Sequence, residues 1–373
     1  MKISMIAQPF PLISVSGDAY TRGHQHGVQA SGLIRRNVDY YLDLWRTYSK
    51  LERDSVLDQA SEFIPAIERY DADIMEEMRG LADGAGLSLE EVVALNARYE
   101  FVWAVVGVGQ AVGGECTALA AAPKATSSRH TLIGQNWDYK PRVRDQCILL
   151  KIEQGDKPDI LMHTEAGVIG QKGMNSAGMG LCVNALVSDR DGFEPKTPFF
   201  VTCRRVLNSE RLGDAVGAVL AAERAASGNF LIAHAEGEII DLEAAPSDVG
   251  FMYPKDGVLA HGNNFVEFLH SDIKDTFKAV VPDTLIRTFR AQRLLSEERG
   301  VINLETFKRI LRDHFNWPNS ICRHQDERLP VDLRIETVAS VIMDLNAGMF
   351  YVSDGAPCGG EYRVLSLKAP GKG

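Results

Sequence analysis

A lone cysteine, Cys116, lies where a helical sequence pattern ends and a strand-rich pattern begins. It belongs to the stretch GGECT, residues 113–117, behind two glycines and a glutamate. A thiol becomes a nucleophile when a base removes its proton, and histidine is the usual base. The chain has nine histidines, and none can be paired with Cys116 from sequence alone. Two chemistries therefore stay open: a conventional Cys–His pair, or a cysteine that supplies its own base.

A cysteine at a chain terminus has such a base in its α-amino group, whose ordinary pKa is about 7.7–8.0. To reach that state in mid-chain, the peptide bond between Glu115 and Cys116 must be cut. The thiol can attack the Glu115 carbonyl in an N-to-S shift, and water can then open the thioester. Gly113 and Gly114 permit strained backbone that favours the attack, and the Thr117 hydroxyl can hold a water or donate to the oxyanion. The alternative interpretation is that Cys116 is a buried packing thiol.

Hydrophobic periodicity predicts which elements position this cysteine. Residues 1–18 supply a short strand, and from about 19 to 105 apolar residues recur at spacings of three and four, which predicts helices. Ser88 and Glu91 form a capping box at the start of one of them. After Cys116, short runs of β-branched or alternating apolar residues predict strands, which end in a pair that turns at Asn346-Ala-Gly348. Four helices interrupt these strands, near 198–209, 211–226, 283–298 and 303–314.

This order of elements predicts an α+β fold in which helical layers cover two packed sheets. The sequence has no internal repeat, low-complexity tract or Pro/Ser-rich linker at the change of pattern. We therefore expect one compact domain whose chain can be cut inside it. Residues 1–115 would form a helical N-terminal segment and residues 116–373 the core.

Composition excludes several classes of function. The 373-residue chain has 45% hydrophobic and 24% charged residues, with a net charge of −10. Such a balance is typical of a soluble enzyme and argues against nucleic-acid partners and a basic membrane-binding patch. No run approaches the roughly 18 apolar residues of a membrane span, and the proline-broken N-terminus makes a poor signal peptide. These features predict a cytoplasmic enzyme.

The six cysteines are widely scattered and form no CxxC pair. This distribution predicts free thiols in a reducing compartment, with neither a zinc site nor a disulfide scaffold. The sequence therefore predicts no metal and no cofactor. The cysteines are Cys116, Cys147, Cys182, Cys203, Cys322 and Cys358.

Several motifs, in order along most of the chain, resemble one family. They are GDAYTRGHQHG, MRGLADGAGLSLEEVVALNARYEF, GGECTALA, LIGQNWDY, TEAGVIGQKGMNSAGMGLCVNAL, HGNN and WPNSICR. They resemble the isopenicillin N acyltransferase family (acyl-coenzyme A:6-aminopenicillanic acid acyltransferase). The resemblance implies an N-terminal-nucleophile hydrolase fold, a four-layer αββα sandwich of two antiparallel sheets. It also implies a precursor that cuts itself between Glu115 and Cys116 into an α and a β chain.

The resemblance assigns roles to four residues. Cys116 matches the nucleophile, and Asp138 in QNWDY matches an aspartate whose carboxylate holds and tunes the freed amine. Asn263 in HGNN matches the asparagine that donates to the tetrahedral oxyanion, although Asn264 beside it leaves the register open. Arg323 in SICR matches an arginine near the nucleophile. Its guanidinium would lower the thiol pKa or bind a substrate carboxylate, and a structural ion pair is the alternative.

The same resemblance also bears on three further residues. Ser320 matches a hydroxyl in the arginine motif, and Ser227 is a candidate for lining the acyl pocket, with a turn as its alternative role. Glu115 is a departure, because the fungal enzyme's motif has glycine directly before the cysteine. Glutamate adopts positive φ less readily, so we expect either slower cleavage or a part for Glu115 itself.

The favoured hypothesis is a self-activating amidase that hydrolyses a small N-acyl or amide substrate through a Cys116 thioester. Transfer of the acyl group to another amine is a variant of the same chemistry. A non-cleaving binding relative and an intact Cys–His thiol enzyme are the competing hypotheses. The expected partners are a small-molecule amide and the protein's own α and β chains, with homo-oligomerisation left open.

Overall fold

The structure, a computed structural model, describes residues 9–102, 114–267 and 272–367. The helices in this part of the chain are α1 Ala19–Ser49, α2 Arg53–Ser61, α3 Ile64–Tyr70, α4 Ala72–Ala85, α5 Leu89–Asn96, α6 Arg98–Glu100, α7 Phe199–Leu207, α8 Leu212–Ala221, α9 Asp283–Glu297 and α10 Leu304–Leu311. The strands are β1 Leu12–Ser16, β2 Glu115–Ala121, β3 Leu132–Tyr139, β4 Cys147–Glu153, β5 Ile160–Glu165, β6 Lys172–Asn175, β7 Met179–Ala185, β8 Gly228–His234, β9 Ile239–Ala244, β10 Val249–Met252, β11 Val258–His261, β12 Glu336–Asp344, β13 Met349–Asp354 and β14 Arg363–Ser366.

The strands form two sheets. The larger sheet has the order β1-β4-β5-β6-β7-β8-β9-β10, and the smaller has the order β11-β2-β3-β12-β13-β14. Helices α9 and α10 pack against the smaller sheet, while α1, α7 and α8 pack against the larger one. The predicted α+β fold with two sheets between helical layers is confirmed. One detail differs, because β1 pairs in parallel with β4, so the larger sheet is not purely antiparallel.

Alternation of side chains along the smaller sheet divides the core into two parts. Ala118, Ala120 and Ile133 belong to the cluster shared with the larger sheet. Their neighbours Leu119 and Ala121 point the other way and pack with the apolar residues of α9 and α10. Because successive side chains of a strand lie on opposite faces, every residue of β2 and β3 can be assigned to the inner or the outer face.

The helices before Cys116 are tied to the larger sheet. The Tyr41 hydroxyl donates to Glu165 Oε2 at 2.9 Å, and Arg98 forms a buried ion pair with the same carboxylate. Helices α1 and α4 approach so closely that a Cβ on Gly23 would lie 1.9 Å from the Glu77 carbonyl oxygen. The glycines of GDAYTRGHQHG and MRGLADGAG therefore permit close helix packing. These two family-like motifs have a structural role.

Most sequence-predicted elements are confirmed, including the helices up to residue 100 and the capping box of Ser88 and Glu91. Three short strands, β6, β10 and β14, were not predicted; each has only four residues, too few for a clear alternation. The end of the predicted helical region, residues 103–105, and Gly113 lie outside the described residues. In the described part, no helix has the length and apolar character needed to cross a bilayer.

Candidate active site

Cys116 is the second residue of β2, and its side chain faces the space between the two sheets. It pairs with Trp137 of β3, and both belong to the inner core cluster. Cys116 as a whole is 5% exposed, and it borders a cavity of about 50 Å³. By volume, such a cavity holds only a few water molecules. The residues that line it include Gln135, Trp137, Lys172, Val183 and Phe200.

The pKa of the Cys116 thiol is raised to about 12. Burial is the main cause, and the negative charge of Asp138 adds to it. The ammonium of Lys172 acts in the opposite direction, because it favours the thiolate. Among the described residues that line the cavity, none is a histidine. At neutral pH the thiol of the intact chain is therefore protonated and has no imidazole base in its cavity.

Hydrogen bonds fix the backbone on both sides of the Cys116 α-carbon. Its N–H donates to Asn263 Oδ1 at 2.7 Å, and Arg287 Nη1 donates to its carbonyl oxygen at 2.8 Å. Asn263 is oriented by its other bonds, since its Oδ1 accepts from Arg287 at 3.1 Å and its Nδ2 donates to the Ala185 carbonyl at 3.0 Å. Asn264 instead accepts from the Thr284 and Thr288 hydroxyls. The structure thus brings Asn263, the first of the two asparagines, to Cys116.

The predicted residues Asp138 and Arg323 lie on the outer face of the same sheet, opposite the thiol. Asp138 pairs across the strands with Glu115, one position before Cys116, so their side chains share that face. Here three carboxylates and two guanidinium groups meet beneath α9, and we call this group the charged cluster. Its members are Glu115, Asp138, Asp283, Arg287 and Arg323.

Arg323 contacts all three carboxylates of the charged cluster. Its Nη2 pairs with Glu115 and with Asp283, and its Nε lies 3.6 Å from Asp138 Oδ2. The guanidinium of Arg323 is therefore a buried ion-pair partner in the intact chain, the alternative that the sequence had left open. Because β2 lies between this guanidinium and the Cys116 thiol, the predicted lowering of the thiol pKa would have to act across that strand.

The charged cluster contains three carboxylates and two guanidinium groups, so one carboxylate is in excess. Burial raises the pKa of Asp138 to about 6, although Arg323 and Arg287 oppose the shift. Burial likewise raises the pKa of Glu115, whereas the pKa of Asp283 is lowered by its two arginine partners. Asp138 accepts from the Thr337 hydroxyl at 2.6 Å through Oδ1, while its Oδ2 has no hydrogen-bond partner in the described structure. This buried carboxylate oxygen of the charged cluster therefore has an ion-pair contact with Arg323 but no hydrogen bond among the described residues.

Arg287 is a central residue of the site that sequence reasoning missed. Its other bonds reach the Thr117 hydroxyl at 2.8 Å, Glu115 Oε2 at 2.7 Å and Asp283 Oδ2 at 3.0 Å. In the sequence, Asp283 and Arg287 resemble an ordinary i,i+4 surface pair on a helix. A usable signal was their alignment with Ala291 and Leu295 at a spacing of four, which places the charged pair on the buried face of α9.

Glu115 and Gly114 differ from the sequence expectation. Glu115 is a β-strand residue and is not among the described residues with positive φ, so the uncut chain does not require that conformation of it, and its expected effect on cleavage stays a prediction. Gly114 is required for space, because a Cβ there would lie 2.7 Å from the Tyr139 ring. Glu115 has a structural role, because its buried carboxylate forms ion pairs with both Arg287 and Arg323.

Three residues predicted to contact water or substrate have protein partners instead. The Thr117 hydroxyl accepts from Arg287, as described above. Ser227 donates to Ser188 Oγ at 3.0 Å, and Ser320 donates to the Cys322 carbonyl at 2.6 Å. Neither Ser227 nor Ser320 is among the described residues that line the cavity, so their expected pocket role does not fit this conformation.

Lys172 is the second residue that the sequence did not reveal. It is 1% exposed, lines the cavity, and lies 4.3 Å from the centre of the Trp137 ring. Its Nζ donates to Gln171 Oε1 at 2.8 Å, the single hydrogen bond that the described residues give it. Burial lowers its pKa to about 8. An ammonium has three donors, so a cation with spare donors faces the cavity of Cys116.

Two stacked sheets between helical layers, with a cysteine on a central strand facing the space between them, match the architecture expected of an N-terminal-nucleophile hydrolase. The sequence model of the "Acyl-coenzyme A:6-aminopenicillanic acid acyl-transferase" family matches residues 125–357, more than half of the chain. The chain therefore belongs to this family, and the resemblance found in its motifs is confirmed. The matched range begins after Cys116, so it does not include the nucleophile candidate.

Two individual proteins are similar to most of this chain. An "Acyl-coenzyme A:6-aminopenicillanic-acid-acyltransferase 40 kDa form" from Emericella nidulans is 29% identical over 317 residues, 84% of this chain and 85% of that protein. An uncharacterised protein from Archaeoglobus fulgidus is 23% identical over 363 residues, 86% of this chain and 60% of that protein.

Comparison with solved structures finds partial similarity to two proteins. A conjugated bile acid hydrolase from Clostridium perfringens has a TM-score of 0.44 at 15% identity and covers 67% of this chain and 96% of its own. A penicillin V acylase from Agrobacterium tumefaciens has a TM-score of 0.44 at 14% identity, with 64% and 83% covered.

Proposed function

We propose that this protein is a self-activating cysteine amidase. It cuts its own chain between Glu115 and Cys116 and then hydrolyses the C–N bond of a small N-acyl or amide substrate through a Cys116 thioester. The observation that carries the proposal is the environment of Cys116: hydrogen bonds hold its backbone N–H and carbonyl while its thiol faces an internal cavity. Buried backbone groups are paired in any strand, but here side chains rather than a neighbouring strand supply the partners.

These contacts support self-cleavage by the following steps. The Cys116 sulfur adds to the Glu115 carbonyl carbon, the C–N bond breaks, and the thiol proton goes to the departing nitrogen. That nitrogen already donates to Asn263 Oδ1, so it stays in place as it becomes an amine. Water then opens the thioester, which returns the thiol and leaves Glu115 as a carboxyl terminus.

Turnover uses the amine that self-cleavage creates. The freed α-amino group takes the thiol proton, and the sulfur attacks the substrate carbonyl. Asp138 Oδ2, a buried acceptor with a free lone pair, supports the assignment of Asp138 as the partner of that amine. Asn263 has two amide N–H donors, and the described residues use one of them, on Ala185. The other is available to a developing oxyanion, and the amine product leaves with the transferred proton.

Several observations favour this function over the alternatives. No described histidine lines the cavity, which disfavours an intact Cys–His enzyme. Hydrolysis is preferred to acyl transfer because water needs no second pocket beside the thioester. A thiol nucleophile together with five other free cysteines fits a reducing compartment, so the proposal places the enzyme in the cytoplasm. The direct test is intact mass of the purified protein, followed by a screen of N-acyl amino acids, β-lactams and small amides.

The position of Lys172 favours a substrate that carries a carboxylate. A buried ammonium with one hydrogen bond has donors to offer a ligand in the cavity. A hydrogen bond between charged groups contributes about 1.5–3 kcal/mol in protein sites. The free energy of binding would therefore favour an N-acyl amino acid or a β-lactam acid over the matching neutral ester or amide.

Replacement of Lys172 with methionine keeps the length of the side chain and removes its charge. We expect KM for a carboxylate substrate to rise by about tenfold or more, which corresponds to about 1.4 kcal/mol, with little change for its neutral analogue. Steady-state kinetics on the pair of substrates measures this, and self-cleavage of the variant reports on its fold. An equal loss on both substrates would mean that Lys172 acts on the thiol. If the wild type turns over no amide at all, the proposed function itself is wrong.

Replacement of Asn263 with alanine tests the oxyanion assignment. The precursor should fold and still cleave, at most more slowly, while turnover falls by at least tenfold, because loss of one oxyanion donor typically costs about 10²–10³ in rate. The neighbouring Asn264→Ala variant is the matched control, since its side chain bonds to Thr284 and Thr288 and does not reach Cys116. Unchanged kcat in Asn263→Ala would remove Asn263 from the oxyanion site.

A further inference from the structure

Four side chains with metal-binding atoms meet at the protein surface behind the charged cluster. Their ligand atoms all lie within 4.8 Å of one another. We call this group the Cys2His2 cluster, and its members are His314, Cys322, His324 and Cys358. Spacing along the chain hides it, because the first three residues come from the loop after α10 and the fourth from a turn just before β14. No CxxC pair announces it.

The three distances from His324 to the other ligands agree with a tetrahedral zinc centre. With Zn–N near 2.0–2.1 Å and Zn–S near 2.3 Å, tetrahedral ligands lie about 3.3 Å apart for N···N and about 3.6 Å for N···S. Here His324 Nε2 lies 3.2 Å from His314 Nε2, 3.6 Å from Cys322 Sγ and 3.4 Å from Cys358 Sγ. These three distances are within about 0.2 Å of that geometry, and all four ligand atoms lie within 4.8 Å of one another.

The surrounding fold fixes the positions of these ligands. The His324 ring stacks on Trp317, with ring centres 4.1 Å apart. The Cys322 N–H donates to the Asp313 carbonyl at 3.0 Å, which ties this loop to the end of α10. Arg312 donates to the Pro357 carbonyl at 2.8 Å and thereby holds the turn that carries Cys358 against the same place.

We propose that the Cys2His2 cluster binds one structural Zn²⁺ ion. Two thiolates and two neutral imidazoles neutralise the charge of the ion and select zinc over the hard cations Mg²⁺ and Ca²⁺. Four protein ligands complete the tetrahedron, which is the pattern of a structural site and leaves no open position for a substrate. Binding releases up to two protons, one from each thiol.

The proposed zinc site is also linked to the candidate active site by the polypeptide backbone. Cys322 and His324 are the two neighbours of Arg323, whose guanidinium pairs with Glu115 and Asp283 beneath the scissile bond. Zinc would therefore fix both ends of the peptide that carries this arginine. In this assignment the four ligands are positioning residues with no catalytic part.

Metal content tests the proposal. Untagged protein is purified from zinc-supplemented medium, dialysed against metal-free buffer, and analysed by elemental mass spectrometry. We expect about one zinc per chain, and replacement by Co²⁺ should give the strong visible and near-ultraviolet bands of a tetrahedral cobalt–thiolate site. Cys358→Ser and His314→Gln, both at exposed positions, should each weaken zinc binding at least tenfold while the circular dichroism spectrum stays that of a folded protein.

Cys116→Ala is the matched control, since it removes a different thiol and should keep the zinc. Two results would overturn the proposal. One is metal-free wild-type protein whose mass shows the loss of two hydrogens from a Cys322–Cys358 disulfide. The other is full zinc content in both cluster variants, which would place the metal elsewhere.

Discussion

Cys116→Ala will be recovered as a single uncut chain with no amidase activity, whereas the wild type will yield two fragments, one of them beginning at Cys116. The reason is chemical: alanine offers neither the sulfur that attacks the Glu115 carbonyl nor the thiol that attacks substrate. The variant should fold, because Cys116 lines a cavity and the backbone bonds to Asn263 and Arg287 do not depend on its side chain. Denaturing electrophoresis, intact mass and N-terminal sequencing measure the cleavage.

Two further variants separate the roles of this thiol. Cys116→Ser keeps a nucleophile of lower reactivity, so we expect slow self-cleavage without measurable turnover. Cys203→Ala removes another buried free thiol, in α7, and should cleave and turn over like the wild type. Cleavage that persists in Cys116→Ala would contradict the mechanism. A wild-type chain that stays intact and still hydrolyses amides would favour the competing thiol enzyme.

The elements of the fold could be predicted because each carries a local pattern. The spacing of apolar residues predicted the long helix α1, and the capping box predicted the start of α5. Runs of β-branched or alternating apolar residues predicted strands such as β3 and β12. Pairing is different, since it depends on contacts between distant segments. Nothing local shows that β1 lies beside β4, or that Cys116 and Asp138 project from opposite faces of one sheet.

The candidate site was predictable to the extent that motifs mark it. Cys116, Asp138, Asn263 and Arg323 stand in such motifs, and the fold brings all four to the start of β2. Arg287 was missed because a charged pair at i,i+4 is common on exposed helices, and burial of α9 follows only from tertiary packing. The Cys2His2 cluster was missed for a related reason, because a distant turn supplies one of its four ligands. Residues that only the fold brings together cannot be recognised from their spacing in the sequence.

Arg287→Met, made in the uncut Cys116→Ala background, will lower the free energy of unfolding by about 3–5 kcal/mol, the usual cost of removing one partner from a buried ion pair. Arg287 is 1% exposed and donates to a backbone carbonyl, a hydroxyl, an amide oxygen and two carboxylates. Methionine fills much of the same volume but removes one donor from each of these acceptors, and only Asn263, Glu115 and Asp283 keep a second partner described above. Urea denaturation followed by circular dichroism measures the change.

Arg287→Lys with Cys116 intact isolates the effect on chemistry. Lysine keeps the charge but offers three donors from a single nitrogen, so it cannot hold the Cys116 carbonyl and Glu115 at once as the planar fork does. We expect self-cleavage to slow by at least tenfold, since small displacements of the scissile bond have large effects on rate. Arg293→Met on the exposed side of α9 is the control: its ion pair with Glu297 is half exposed, so its loss should cost under about 1 kcal/mol and leave cleavage unchanged. If Arg287→Lys cleaves at the wild-type rate, Arg287 stabilises the fold and its planar fork is not needed to position the scissile bond.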